Sequence, residues 1–380
     1  MIEHIWDALP GLRTLDDHPL LKADGALESF LLRLLHAHAP RAGCALPGGI
    51  GTVIGEIAAE YGLADRFTLN FAGTGNAALD IGAANDQPDI VIVAHMDRPS
   101  FRVRDAAAHT IYPVCALRLP AGGYECAAKA IRWDANARSL IVASRGMFTG
   151  YGTTLHYHTA GDLRWTDTIV MEAEQTLIDG LITGTGLDNS LGVAAAFGAA
   201  VAFQRLEADL IRWQRRILFV FSDEEEGIPD VFFGHGAARL AQHIRPVRGA
   251  IICDAHTAGD TLISQVGNGA SHGVISGQGK GALVALNGVA LAVDLAASLN
   301  QTAPGTVQLN SGYLSRSDDM GMARWTRILG MIGVPMHDPH TAHETALVGD
   351  VEKTIRWLTQ YTAACLGVSP ALVDAYALHP

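Results

Sequence analysis

The sequence predicts an α/β fold: a mixed, mostly parallel sheet sandwiched by helices, with a small all-β domain inserted. Three observations predict it. Four short apolar runs lie far apart in the chain, stretches of helical period lie before, between and after them, and one long stretch breaks that rhythm with short alternating segments. The runs are IVIVA at 90–94, ILFVFS at 217–222, GAIIC at 249–253 and ILGMIGV at 328–334. Each is bounded by polar or turn residues and is rich in β-branched side chains, as strands buried on both faces are. Helical patterns run over 26–38, 191–207, 231–243, 283–299 and 344–366. Between about 99 and 179, segments such as TIYPVCALRL, RSLIVAS and TTLHYHTA alternate and are punctuated by Gly, Asp and Asn, which predicts a β-rich domain. The expected organisation is an α/β domain formed by 1–98 and 180–380, with the β-rich insert at 99–179. An insertion is tolerated where its two ends lie close together.

Composition narrows the function. A chain of 380 residues suggests about two domains at roughly 150 residues each. At 49% hydrophobic residues it can bury a sizeable core. With 27 Lys+Arg against 39 Asp+Glu the net charge is −12, which argues against a general nucleic-acid binder and against an anionic membrane surface. Of the two most apolar segments, 192–203 is too short to span a bilayer and 282–299 carries Asn287 and Asp294. The N-terminus has no basic stretch followed by an apolar one, so the expectation is a soluble, cytoplasmic protein. Five scattered cysteines without a CxxC read as free thiols in a reducing compartment, not as a disulfide frame or a thiolate metal site.

The polar residues that follow the apolar runs form a pattern. The first run leads into His95-Met96-Asp97, the second into Asp223-Glu224-Glu225-Glu226-Gly227, the third into Asp254, and the fourth through Pro335 to His340. Asp188, in Gly-Leu-Asp-Asn-Ser, opens a helical stretch. Ligands of open α/β sheets bind outside the carboxyl ends of the strands, so these groups are expected on one rim. His with carboxylate suits a borderline divalent metal such as Zn²⁺. Five ligands with one bridging carboxylate are enough for two ions, roughly 3.5–4 Å apart. In H-x-D the carboxylate can take the spare ring N–H of the His. Of the paired glutamates, Glu225 is read as a ligand and Glu224 as a free base. Each group alone has a bland reading: a solvated acidic run, a helix N-cap, a turn aspartate, or a loop histidine beside His337 and His343. Their shared placement, in a chain with only 17% charged residues, favours a metal centre.

In order along the chain stand A-H-M-D at 94–97, L-D-N-x-x-G at 187–192, E-E-x-G at 224–227, D-x-x-x-A-G-D at 254–260 and H-T-x-x-E at 340–344, preceded by a Gly75-Asn76 turn. This set resembles the dinuclear zinc aminopeptidases of the tetrahedral, dodecamer-forming type, which include glutamyl, leucyl, lysyl and deblocking enzymes. The gap between His95 and Asp188, 188 − 95 = 93 residues, sets it apart from carboxypeptidases and acetylornithine-deacetylase-like enzymes, whose extra domain comes later. The resemblance implies a zinc-exopeptidase-like fold and an aminopeptidase acting on a peptide or small amide. It implies two divalent ions (Zn²⁺, with Co²⁺ or Mn²⁺ as alternatives) and a homo-oligomer, dodecameric by resemblance with a dimer left open. It further implies that His95 and Asp254 bind one ion and Glu225 and His340 the other. Asp188 bridges them, held by a cis bond to Asn189, Glu224 is the general base, and Asp97 orients His95. Two stretches depart from the family pattern: Arg98-Pro99-Ser100 stands where Glu-(Val/Ile)-Gly is expected, and Met336-His337-Asp338-Pro339 where an Arg-Tyr pair is expected.

Other readings compete. A related metal-dependent amidase, deacylase or carboxypeptidase acting on N-acyl amino acids would use the same ligands. A non-catalytic binding protein could keep the fold. Gly269-Ala270-Ser271-His272-Gly273 matches a serine nucleophile elbow, although the residues after it look strand-like. Gly277-Gln278-Gly279-Lys280-Gly281-Ala282 fits a dinucleotide-binding turn but lacks the βαβ continuation. His272, Asp318, Asp319, His337 and His343 are expected in surface loops.

Overall fold

The computed structural model describes the chain except residues 23–24, 116, 120–121, 152–153, 228–233, 260–262, 275–280, 315 and 379–380. The four apolar runs are the centre of one mixed sheet. Arg216–Ser222, Ile90–His95, Gly249–Thr257 and Ile328–His337 are neighbours in that order and all run parallel. Their side chains alternate between two cores. Ile90, Ile92 and Ala94 face one side of the sheet with Ile217, Phe219 and Phe221, while Val91 and Val93 face the other with Leu218 and Val220. Burial on both faces is what allows continuous apolar runs in place of polar alternation. Each fully buried large aliphatic or aromatic side chain contributes roughly 1.5–3 kcal/mol.

The flanks of the sheet differ from expectation. Ala77–Gly82 and Phe67–Thr68 extend one edge, and Glu344–Leu347, Leu181–Gly184 and Thr176–Ile178 the other, every one by antiparallel pairing. Ala270–Gly273 pairs antiparallel with Ile328–His337 and parallel with Val307–Asn310. Antiparallel pairs therefore outnumber parallel ones, and the sheet is parallel only at its centre. Most of these strands have only two to four residues, and Ala77–Gly82 is interrupted by Asp80, so they carry no strong apolar run to reveal them. Glu344–Leu347 lies where a helical pattern begins at 344. Its residues alternate buried and half-buried, as a strand's do, and the helix starts at Val348.

Helices cover both faces. Leu187–Arg205 is buried along almost its whole length, between the sheet and the Val348–Cys365 helix. His235–Leu240 covers the opposite face, within the stretch predicted at 231–243, whose first three residues lie outside the described ones. The helix predicted at 283–299 is observed at Leu286–Thr302. Among the described residues no helix is long and apolar enough to cross a membrane.

Six strands between Phe101 and Met171 close a barrel around Phe101, Phe148, Tyr157 and Ile169. Within the segment 99–179, Thr176–Ile178 pairs with the main sheet rather than with the barrel. The barrel core also takes in Ala342, whose backbone N–H donates to the Tyr124 hydroxyl at 2.8 Å. The barrel thereby holds the loop that carries His340.

Candidate metal centre

Parallel strands bring their carboxyl ends to one edge, and the sequence-predicted groups gather there. His95 ends its strand, Asp254 lies on the next one, and Asp188 stands in the first turn of the buried helix. The Asp188 carboxylate lies between the two histidines: Oδ1 is 3.3 Å from His95 Nε2 and Oδ2 is 3.3 Å from His340 Nε2. Asp254 Oδ1 is also 3.3 Å from His95 Nε2. His95, Asp188 and Asp254 are all buried.

The acidic run divides differently from expectation. Glu224 has φ 62°, in the left-handed region, so the chain turns sharply there. Its carboxylate leaves the cluster for Arg239, at 2.7 Å, with Arg41 and His235 at 4.0 and 3.7 Å. Arg239 and its neighbours outweigh partial burial and hold Glu224 below the usual carboxylate range. The next two residues point inward. Glu226 Oε1 is 3.4 Å from His340 Nε2, and Glu225 Oε2 is 3.7 Å from His95 Nε2. Of the predicted residues, His95, Asp97, Asp188, Glu225, Asp254 and His340 thus come together, Glu224 does not, and Glu226 joins them unpredicted.

Three buried carboxylates hold this arrangement through backbone amides. Asp97 accepts from the N–H groups of Glu225 and Glu226, each at 3.0 Å, while its own carbonyl lies 3.1 Å from His95 Nδ1. Asp223 accepts from Ala42 and Cys44, at 2.9 and 3.1 Å, and its N–H donates to Asn76 Oδ1 at 3.0 Å. Asn76 also donates to the Gly236 carbonyl, which gives the Gly75-Asn76 turn its structural task. Glu344 spans both ligand loops: Oε2 accepts from Gly186, Leu187 and Asp188, and Oε1 accepts from His340 N–H at 2.9 Å. Sequence reasoning assigned no task to Asp223 or Glu344; the last position of H-T-x-x-E was the available signal for Glu344. The Asp188–Asn189 peptide bond is cis. Asn189 donates to the Cys253 carbonyl and accepts from Gly192 N–H.

Electrostatics fit a cation-binding site. Five buried carboxylates (Asp97, Asp188, Glu225, Glu226 and Asp254) converge on two histidines. Burial pushes Glu225 and Glu226 up, and their acidic neighbours add to it. Burial would pull His95 down, but Glu225, Asp254 and Asp188 together hold it well above its ordinary range. Burial would raise Asp188, but the neighbouring His340 and His95 imidazoles hold it well below the ordinary aspartate range. Asp188 Oδ1 and Glu226 Oε1 are buried without a hydrogen-bond partner. Uncompensated buried charge is costly, and oxygen and imidazole donors are those that divalent Zn²⁺, Co²⁺ or Mn²⁺ accept. The residues present therefore fit metal ions. His95, Glu225 and Asp254 form one group of convergent donors, His95, Asp188 and Glu226 a second, and Cys115, Glu226 and His340 a third, each with donor atoms within 4.8 Å of one another. Cys115, the thiol in this last group, follows the Thr110–Pro113 strand of the barrel.

The departures from the family pattern have structural explanations. Arg98 is buried and turned away from the centre, donating to Leu34, Leu35 and Ala37 carbonyls at the end of the Ala26–His36 helix and to Ser190 Oγ. Burial pulls it down to about 10. His337 Nδ1 lies 3.2 Å from the Ala258 carbonyl. Contrary to expectation, His272, Asp318 and Asp319 are fully buried, not in surface loops, whereas His343 is exposed. Ser271 forms no nucleophile elbow: it is buried inside the Ala270–Gly273 strand, with His256 Nδ1 at 2.8 Å. Gly277, Gln278, Gly279 and Lys280 of the dinucleotide motif, and Asp260, lie outside the described residues.

Fold and site together define a metal-dependent aminopeptidase, a hydrolase. The chain belongs to the M42 glutamyl aminopeptidase family, whose model matches residues 159–357. No curated protein sequence matches it. Among solved structures it is similar to the TET aminopeptidase of a marine-sediment Thaumarchaeota archaeon, at 15% identity and a TM-score of 0.70, over 93% of this chain and 99% of that one. Aminopeptidase APDkam598 of Desulfurococcus kamchatkensis gives 16% and 0.68, over 92% and 96%. The TET1 peptidase of Pyrococcus horikoshii, which assembles into a tetrahedron or a large octahedral shell, gives 15% and 0.64, over 88% and 98%. At such identities the likeness is one of fold.

Proposed function

We propose that this chain removes N-terminal residues from peptides at a centre of two divalent cations, zinc foremost, with Glu225 as general base. The observation that carries the reading is Asp188, whose two oxygens each lie 3.3 Å from a different histidine. His95, Asp254 and Asp188 would hold one cation, and Glu226, His340 and Asp188 the other. When bound, such a pair polarises the scissile carbonyl and lowers the pKa of water to ~7. Glu225, buried beside His95, takes the proton of the attacking water and returns it to the leaving amine. Asp97 and Glu344 position, the first holding the backbones of Glu225 and Glu226, the second those of Asp188 and His340. Sequence reasoning gave Glu224 the base and Glu225 the ligand role. The Glu224–Arg239 ion pair supports moving each role one residue along. A homo-oligomer is proposed by likeness to the TET assemblies.

Elemental analysis after loading and desalting should find about two ions per chain. Glu225→Gln should keep them and lose roughly 10²–10⁴-fold in kcat on amino-acid amides and unblocked peptides, the range of a lost proton-transfer group. Glu224→Gln should stay within a few-fold of the wild type. Normal turnover by loaded Glu225→Gln would overturn the assignment of the base. Preference for N-acetylated over free peptides would replace the aminopeptidase reading with a deacylase.

A further inference from the structure

We propose that Cys115 is a further ligand of the cation held by Glu226 and His340, so that a thiolate from the barrel completes a centre otherwise built by the α/β domain. The proposal rests on the two-cation reading above. Its ground is geometric. Cys115 Sγ, a Glu226 carboxylate oxygen and a His340 ring nitrogen all lie within 4.8 Å of one another, and Cys115 and Glu226 are buried. Glu226 Oε1, 3.4 Å from His340 Nε2, is buried without a hydrogen-bond partner, a costly state that a bound cation relieves.

The spacing suits coordination. Zinc bonds of ~2.3 Å to sulfur and ~2.0 Å to nitrogen or oxygen put tetrahedral donors about 3.5 Å apart, a separation that Glu226 Oε1 and His340 Nε2 already have at 3.4 Å, so loading needs at most about 1 Å of adjustment in the group. The means of adjustment are local. Cys115 follows the Thr110–Pro113 strand, and Val114 next to it is tied to the Ser100 carbonyl at 3.0 Å. The His340 loop rests on the same barrel through Ala342 and Tyr124. The barrel thus carries the thiol and braces the loop of the imidazole. The step is a simple exchange: the S–H bond breaks, an S–metal bond forms, and the proton leaves to solvent. No oxidant is required. The consequence is selectivity, because a soft thiolate favours Zn²⁺ over Mn²⁺, whereas the carboxylates at the same position serve both.

The test is the absorption spectrum of the full-length protein loaded with Co²⁺, beside elemental analysis. We expect about two cobalt ions per chain, visible d–d bands, and an intense near-ultraviolet sulfur-to-cobalt band. Cys115→Ser and Cys115→Ala should lose that band and keep the d–d bands and the second ion. Retained cobalt without a sulfur band in the wild type would overturn the thiolate proposal and leave the two-cation reading standing. Persistence of the band in either variant would overturn it as well. No retained cobalt would overturn the two-cation reading itself. Should both variants fail to fold, alkylation of the wild type decides: Cys115 should be blocked from iodoacetamide in the zinc-loaded protein relative to the stripped one, and equal labelling would overturn the proposal.

Discussion

Glu344 touches none of the reacting atoms in the proposed mechanism, yet four backbone N–H groups from two loops converge on its carboxylate. A carboxylate offers only acceptors, whereas an amide must turn a donor toward one of those loops. Glu344→Gln should therefore leave one loop without its anchor and lower metal affinity about 10–100-fold, the usual cost of losing a group that orients a ligand. Metal titration against a competing chelator checks this, and affinity within twofold of the wild type would remove Glu344 from the positioning role. The neighbouring acidic run shows how far single residues were legible. Glu224, Glu225 and Glu226 are identical in kind, and the E-E-x-G pattern fits the first two as base and ligand, in that order, because Gly227 follows. Only the left-handed backbone at Glu224 separates them, by turning its side chain to Arg239. Nothing in a row of three glutamates announces which one will adopt that conformation. The histidines and aspartates at strand ends were legible because a strand end has a fixed place in a parallel sheet.

At the scale of elements, the central strands were legible because burial on two faces leaves a continuous apolar run, and their flanks were not because strands mostly of two to four residues leave almost none. Glu344–Leu347 is the clearest case. It continues a helical pattern in sequence, but pairing with Leu181–Gly184 satisfies its backbone and brings Glu344 within hydrogen-bonding reach of the Asp188 backbone. The helix that carries Asp188 is positioned by close packing. At Gly198 an added Cβ would stand 2.6 Å from Ile355 Cδ1, 2.7 Å from Cγ1 and 3.1 Å from Cγ2, with Ile355 wholly buried on the Val348–Cys365 helix. Replacing a helical glycine normally gains up to about 1 kcal/mol from propensity. A branched side chain gains less and collides more, so Gly198→Val should cost about 1–3 kcal/mol from overpacking. Urea denaturation of the metal-loaded protein measures it. An unchanged or raised midpoint would mean that the two helices can separate without loss, and that their contact does not set the place of Asp188.

The whole molecule combines the carboxylates of the candidate metal centre with a set of histidines that folding keeps neutral. His18 Nδ1 accepts from Leu20 N–H at 3.1 Å, so its Nε2 carries the proton and donates to the Gly198 carbonyl at 2.9 Å. Burial lowers it from 6.5 to about 4, with the Gly198 bond opposing and Arg205 and Arg356 assisting. Burial also takes His256 and His272 down to about 3, and the latter accepts from Trp357 Nε1. A histidine with a depressed folded pKa binds fewer protons when folded than when unfolded, so its contribution is complete above about pH 6.5 and is lost as the pH falls toward the folded value. Between pH 6 and 4.5 the folding free energy should therefore decline, with each such histidine adding a slope that approaches about 1.4 kcal/mol per pH unit. Metal release and carboxylate protonation add to the same decline in the wild type, so the telling quantity is a difference. His18→Gln should be less stable at pH 7.5, having lost the bond from Leu20, yet its stability should fall less steeply on acidification, because a glutamine takes up no proton on unfolding. Denaturant titrations of both proteins across that range cancel the shared contributions of the metal centre. Parallel curves would show that His18 titrates alike in the folded and unfolded chain, and that the burial of its ring at the Gly198 turn of the central helix imposes no acid limit on the fold.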